Sequence, residues 1–521
     1  WALLQRKGRL QEIRALQQRS ARRQPELFDR WHLAQRALEA CMGSDTTMSL
    51  LAGPAGKTRC GSGNSNVAER KRAASEARLA LEAAVPRGER DLGVVEFEEL
   101  LRSLRDGGWA LIEIANYRVL RPKGPWRERW GENRYAAYIL FPDGRVESKD
   151  LGEADRINRT VTTVRSLEAD PNSNMVAVRR AAKELYDQTM GQLEGVLKDQ
   201  SKLYVAADGD LGLIDFGSLI DRKGRWFIEE HLVVNLTSGR DLVRLKRADA
   251  ERKGARGDYL VANPSFLFKD ARALRNGATA SAAPAGATLG SSGLRCSAAF
   301  GKGGLWPRIG ITKEQIGGFR TALPGLKVYE REQARESVVK RIERPRTLWF
   351  ITHGFFCESA EAASGSGGNP TPSAERRWDD PMTRGALVLA GGQVGGLGDG
   401  EDGYLQGTEI VDRNWGGTEL VVLGACETAL GVPRIGDGVY GMRRAFALAG
   451  VRSQVMTLWR VGQAPTFELL ASFANYLHAG KGKAEALREA QRQMLKKHPH
   501  PHYWAGFFFI AWRQTASCPM C

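Results

Sequence analysis

The 521-residue sequence predicts an α/β fold with a mainly parallel sheet flanked by helices, preceded by a helical N-terminal segment. Three observations carry this expectation. Short apolar runs such as Leu348-Trp349-Phe350-Ile351 and Leu420-Val421-Val422-Leu423 are bounded by charges and glycines. Such runs read as strands buried on both faces, as in a parallel sheet covered by helices. From residue 326 to the end, helix and strand patterns alternate, which is the α/β signature. By contrast, residues 1–40 and 66–106 are rich in Ala, Leu, Glu, Arg and Gln, the strong helix formers.

Taken in order, residues 1–108 read as a helical segment, the possible end of a truncated helical repeat array, with a Gly/Ser/Thr-rich loop over 42–66. The first residue is Trp1, so the chain is expected to be a fragment or a processed product. Residues 109–175 read as strand-rich, with Trp109–Ile114 and Tyr135–Leu140 as strands and Pro142-Asp143-Gly144 as a turn. A helix is expected over 176–198, then strands at 203–206, 232–236 and 259–262. The Ala/Gly/Ser stretch 271–305 reads as a flexible linker or loop.

Composition excludes some function classes. No apolar stretch approaches membrane-span length, so no membrane role is expected. Seven scattered cysteines argue for reduced thiols and a cytoplasmic location rather than a disulfide framework. The net charge of +16 reads first as solvated helix faces, because acidic residues are interspersed, with a nucleic-acid or acidic-partner surface as the lesser alternative. Gly53-Pro54-Ala55-Gly56-Lys57-Thr58 lacks the glycine spacing of a phosphate-binding loop. A lone Cys518-x-x-Cys521 near His498, His500 and His502 makes a weak zinc signal, so no metal is assigned and no cofactor is expected.

Chemistry concentrates at two strand ends. Thr352-His353-Gly354 follows one apolar run, and Gly424-Ala425-Cys426-Glu427-Thr428 follows another. Catalytic groups in parallel sheets gather at strand carboxyl ends, so His353 and Cys426 become neighbours though distant in sequence. A thiol needs a base to become the nucleophilic thiolate, and an imidazole supplies one. Each residue alone has a plainer reading, the Cys as a small buried hydrophobe and the His as structural.

The ordered set of motifs resembles the CHAT domain, a caspase-like peptidase module often associated with tetratricopeptide repeats. The matching stretches include Leu203-Tyr204-Val205-Ala206, Phe216-Gly217-Ser218-Leu219, Leu236-Thr237-Ser238-Gly239-Arg240-Asp241-Leu242 and Val261-Ala262-Asn263-Pro264-Ser265-Phe266. Thr352-His353-Gly354-Phe355-Phe356, Gly424-Ala425-Cys426-Glu427-Thr428 and Tyr503-Trp504-Ala505-Gly506-Phe507 continue it. The resemblance assigns 176–515 to the module. It implies a cysteine endopeptidase acting on a protein or peptide substrate, with His353 and Cys426 as the dyad and the backbone amides of Gly354 and Cys426 as the oxyanion hole. It further implies substrate contacts from Trp459, Arg460, Val461, Gly462 and Gln463, where this chain has Gly462-Gln463 in place of the family's frequent Asp-Asp. A regulatory protein bound through the N-terminal helices is a further implication. The alternative is a non-catalytic interaction scaffold with a basic partner-binding surface.

Overall fold

In the computed structural model, the described residues are 95–121, 123, 129–243, 255–267, 306–356, 382, 384–393, 399–425, 428–434 and 438–511, with scattered helical positions between Glu26 and Ala80. The chain divides into two compact units, 2–94 and 95–521. In the smaller, the described residues are helical, and Arg72 pairs with Glu76 one turn away.

The larger unit opens with α1 (Phe97–Arg105), the helix that ends the expected N-terminal segment. Strands β1 (Ala110–Leu120), β2 (Trp130–Leu140) and β3 (Val146–Glu153) follow as an antiparallel meander. Helices α2 (Ala154–Ala169) and α3 (Met175–Gln188) come next, then β4 (Lys202–Ala207), β5 (Leu232–Asn235) and β6 (Asp258–Pro264). After α4 (Lys313–Ala322), β7 (Lys327–Arg331) and α5 (Glu336–Lys340) come β8 (Thr347–Ile351), β9 (His353–Phe356), β10 (Gly385–Val388) and β11 (Tyr404–Gln406). The remainder is α6 (Gly407–Val411), β12 (Leu420–Gly424), a hairpin of β13 (Gly431–Arg434) and β14 (Gly438–Gly441), α7 (Met442–Leu448), β15 (Ser453–Thr457), α8 (Gln463–His478), α9 (Lys483–Lys497) and β16 (Phe507–Ala511).

Eleven described strands form one sheet in the order β3-β2-β1-β4-β5-β16-β15-β12-β8-β6-β7. Within β15-β12-β8-β6-β7 every pairing is parallel, and so are the pairings of β1, β4, β5 and β16. The two blocks meet at the antiparallel β15–β16 pair and therefore run in opposite directions. The α/β class, a mainly parallel sheet with flanking helices, is the one expected from the sequence.

Strand β8 is buried at all five positions because both its faces are covered. Trp349 packs edge-on against Phe319 of α4 and tilts against Phe473 of α8, both at 5.6 Å. On the other face Phe350 lies 6.5 Å from Phe446 of α7. Burial of each such side chain contributes about 2–3 kcal/mol, which anchors the strand that leads to His353.

Two expectations differ from the structure. The region 109–175 contains a 16-residue helix, α2, whose apolar contacts Ile157, Val161 and Val164 recur at helical spacing among β-branched threonines. The helix expected over 176–198 ends at Gln188, followed by a 3₁₀ turn at Met190–Gln192. Within that turn Gly191 passes so close to Tyr186 that a Cβ would lie 2.9 Å from its carbonyl oxygen, an approach that glycine permits. The 271–305 stretch and the Cys518–Cys521 pair lie outside the described residues.

Candidate active site

Sheet register brings the two predicted catalytic segments to one edge. Strands β8 and β12 are adjacent and parallel, with Ile351 opposite Gly424. His353 follows Ile351 by two residues, and Cys426 follows Gly424 by two. Cys426 itself lies outside the described residues, but both flanks of it are described. The Ala425 carbonyl accepts the Thr428 hydroxyl at 3.2 Å and also the Thr457 hydroxyl. Thr457 N–H donates to Thr428 Oγ1 at 3.1 Å, and Ala429 N–H donates to the Thr457 carbonyl at 2.8 Å. These buried bonds fasten Ala425 and Thr428, the described residues on either side of 426–427, to the end of β15, at the carboxyl edge of the β15-β12-β8-β6-β7 block.

At Thr352 the chain turns from β8 into β9, the edge of a separate three-stranded antiparallel sheet ordered β11-β10-β9. The Thr352 hydroxyl donates to the Val388 carbonyl of β10, and His353 stands opposite Val388. Gly354 is buried and stands opposite Leu387.

The imidazole of His353 is enclosed on several sides. Its Nε2 lies 2.7 Å from the Pro307 carbonyl. A carbonyl only accepts, so Nε2 carries the proton and donates; in the neutral ring Nδ1 is then the free lone pair. Trp306 stacks on the ring at 5.3 Å and 28°, and Phe266 tilts against it at 5.2 Å. The Trp306 indole N–H donates to the Tyr404 hydroxyl at 3.2 Å, tying this cover to β11. Burial holds the His353 pKa below its ordinary value, and the Arg460 charge adds to this against the opposing bond to Pro307. The ring is therefore a neutral base near pH 7, with one nitrogen spoken for and the other available.

The five expected substrate-contact residues fall into distinct settings. Trp459 is buried, and its indole N–H donates to the His502 carbonyl at 3.1 Å. Arg460 is exposed and acts electrostatically on His353. Val461 is half-buried and Gly462 caps the start of α8. Gln463 is exposed; its amide faces the 306–310 segment, accepting from Gly310 N–H at 3.3 Å and donating to the Arg308 carbonyl at 3.5 Å. Sequence reasoning did not identify Trp306, Pro307 or Tyr404, and Phe266 entered only inside a motif. The one local signal was the Trp306-Pro307 dipeptide directly after a low-complexity stretch.

The histidines near the terminus are engaged within the fold. His500 Nδ1 accepts from His502 N–H at 3.1 Å, and His502 Nδ1 lies 2.8 Å from the Ala169 carbonyl. Among the described residues one acidic cluster, Glu336, Glu401 and Glu409, has metal-ligating spacing, and the Lys340 ammonium bonds to all three carboxylates.

Comparison with known proteins adds a sequence family. A family model described as the CHAT domain matches residues 179–512. Among curated proteins, tetratricopeptide repeat protein 28 of Homo sapiens is 35% identical over 94 residues, 18% of this chain and 4% of that protein. The chain thus spans a small part of that relative's length. Among solved structures, the Saccharomyces cerevisiae separase–securin complex matches with a TM-score of 0.33 and 11% identity, covering 94% of this chain and 27% of that one. The Arg-specific cysteine proteinase gingipain R matches with a TM-score of 0.33 and 8% identity, covering 70% of this chain and 75% of that one. No described helix is long and apolar enough to cross a membrane.

Proposed function

The chain belongs to the CHAT domain family, and from that premise we propose that it is a cysteine endopeptidase with Cys426 as nucleophile and His353 as proton carrier. The observation that carries the proposal is the His353 setting. Its Nε2 is bonded to the Pro307 carbonyl, Nδ1 is left as the base, and Ala425, the residue before Cys426, is fastened just past the neighbouring strand end.

The steps follow from these groups. His353 Nδ1 takes the thiol proton, and the thiolate sulfur bonds to the scissile carbonyl carbon. The carbonyl π-electrons move to oxygen, and that oxyanion is held by the backbone amides of Gly354 and Cys426. Collapse breaks the C–N bond as the imidazolium protonates the departing amine. Water then attacks the thioester, giving its proton to Nδ1, and the thiol is restored with the carboxylic acid product. The exposed Arg460 beside His353 favours substrates that carry an acidic group near the cleaved bond. The helices upstream of residue 95 would bind a protein that gates access to the site, in keeping with the repeat-containing human relative.

The test is a proteome-wide one. A denatured bacterial or human lysate is incubated with the wild-type chain, with Cys426→Ala and with His353→Ala, and new peptide N-termini are sequenced by mass spectrometry. New termini that vanish in both variants are expected. Termini that persist in Cys426→Ala would assign the activity elsewhere, and none with any form under any added partner would favour the scaffold.

A further inference from the structure

The acceptor for His353 Nε2 is a backbone carbonyl, that of Pro307, in the segment 306–310 that leads toward α4. Such an oxygen is aimed only by the torsions of its own chain and by whatever holds that chain on either side. The proline ring locks φ of Pro307 near about −65°. It also confines Trp306, the residue before it, to extended backbone. One soft torsion, ψ of Pro307, is left to point the carbonyl.

Two side chains from different elements hold the segment on either side of that torsion. Upstream, the Trp306 indole N–H donates to the Tyr404 hydroxyl at 3.2 Å, and the indole stacks on Phe355 at 5.9 Å as well as on His353. Tyr404 is buried on β11, and burial keeps its pKa above the ordinary value, so the hydroxyl stays neutral. Downstream, Gln463 in the first turn of α8 accepts from Gly310 N–H at 3.3 Å and donates to the Arg308 carbonyl at 3.5 Å. Each of these two bonds is long, but they share one planar amide and so fix a direction together. Ile309, between them, is buried. The Pro307 carbonyl thus sits between a clamp on the small sheet and a clamp on α8.

We propose that Tyr404 and Gln463 are positioning residues for His353: by holding Trp306 and the 308–310 backbone, they aim the Pro307 carbonyl at Nε2 and so keep Nδ1 as the base. The inference rests on the dyad reading above. It gives Gln463 a task within the fold in place of the substrate contact expected from its place in the sequence. With either clamp removed, the carbonyl is free to rotate away, and the neutral ring divides between its two tautomers. In the Nδ1–H form no lone pair is left at Nδ1 to take the thiol proton. The bond to Pro307 also favours the imidazolium, opposing burial and the Arg460 charge. Loosening it therefore lowers the His353 pKa further.

The full chain is prepared with isotope-labelled histidine, and the ring nitrogens are read at pH 8 by long-range proton–nitrogen correlation, with His353→Gln to assign the signal. Wild type is expected to show the Nε2–H tautomer at His353, and Tyr404→Phe and Gln463→Ala a mixture of the two. In peptide cleavage each variant is expected to lower kcat by ~10-fold with KM changed by less than ~2-fold. The acid limb of kcat/KM should move down by ~0.3–0.5 pH unit, a shift that mere loss of stability would not produce. Melting midpoints check that the fold persists, since Tyr404→Phe keeps the buried ring and Gln463 is exposed. An unchanged Nε2–H tautomer in both folded variants would overturn the inference. So would a raised KM at unchanged kcat in Gln463→Ala, which would return that residue to substrate binding. The tautomer is read without turnover, so the two readings fail separately: a tautomer lost in the variants of a chain that cleaves nothing would uphold the positioning and remove the dyad.

Discussion

Replacing Lys340 by Met removes the one cation held among three carboxylates, and the consequence can be sized. The Lys340 ammonium lies 2.7 Å from Glu336, 2.5 Å from Glu401 and 2.8 Å from Glu409. The lysine side chain is 13% exposed and that of Glu336 only 1%. Burial works against the lysine charge, yet its bonds to the three carboxylates outweigh it and raise its pKa. Glu336 is pushed up to about 8 by burial and by the Glu409 and Glu401 charges, despite Lys340. Removing one member of such a buried set costs about 3–5 kcal/mol. A unit of roughly four hundred residues has a melting entropy near 0.9 kcal/mol/K, so the midpoint should fall by about 3–5 °C. The sign with pH follows from the raised Glu336 value: its stabilising form is the protonated one, lost as pH rises through about 8. Without the ammonium, acid pH lets the crowded carboxylates take up protons, so the loss is larger at pH 8 than at pH 5. Differential scanning fluorimetry of wild type and Lys340→Met at both values reads this directly. A shift under 1 °C at pH 8, or an equal shift at both pH values, would refute the reasoning. The cluster also holds the 399–403 segment that leads into β11, where Tyr404 supports Trp306 over His353.

Three further outcomes are expected. Burial raises Asp215 to about 7 and raises Glu168 well above the usual carboxylate range, so this pair withdraws stability as pH climbs from about 4 through 7; Asp215→Asn, which keeps an oxygen for the Gly217 N–H, should gain urea resistance at pH 8 and little at pH 5. Arg460→Glu replaces repulsion of the imidazolium by attraction, raising the His353 pKa, so the acid limb of kcat/KM should move up by ~0.5–1 pH unit, as a peptide-cleavage pH profile would record. Trp459→Ala should cost about 3–5 kcal/mol of stability, as a buried indole does, so a lower melting midpoint is expected; a change in KM alone would favour a role as an open pocket wall.

How far the sequence reaches depends on what each pattern encodes. The runs at 348–351 and 420–423 announce β8 and β12, because each is four consecutive apolar residues, all of them buried. The same pattern cannot report direction: β15 and β16 are both fully buried, and only the pairing reveals that they are antiparallel. Helix α2 was hidden because Thr160, Val161, Thr162, Thr163 and Val164 carry strand propensity; burial of Ile157, Val161 and Val164 on one helical face overrides it. The strand-end positions of His353 and of Gly424-Ala425, which lead to Cys426, were legible. The cover on His353 was not, since Trp306 and Pro307 arrive from 46 or 47 residues upstream and nothing local links them to that ring. Trp459 and Arg460 illustrate the same limit. They are consecutive, yet one is buried and the other is exposed and reaches His353 with its charge.

The central claim is that Cys426 is a thiol nucleophile served by His353. Its most direct test is covalent labelling of the full chain with an iodoacetamide-type probe across pH 5–9, located by peptide mass spectrometry. Fast labelling at Cys426, with a rate that rises near pH 6–7 in wild type and reverts to the ~8.5 midpoint of an unassisted thiol in His353→Ala, is the result the account expects. Labelling of Cys426 at the same rate and with the same pH midpoint in both forms would contradict it.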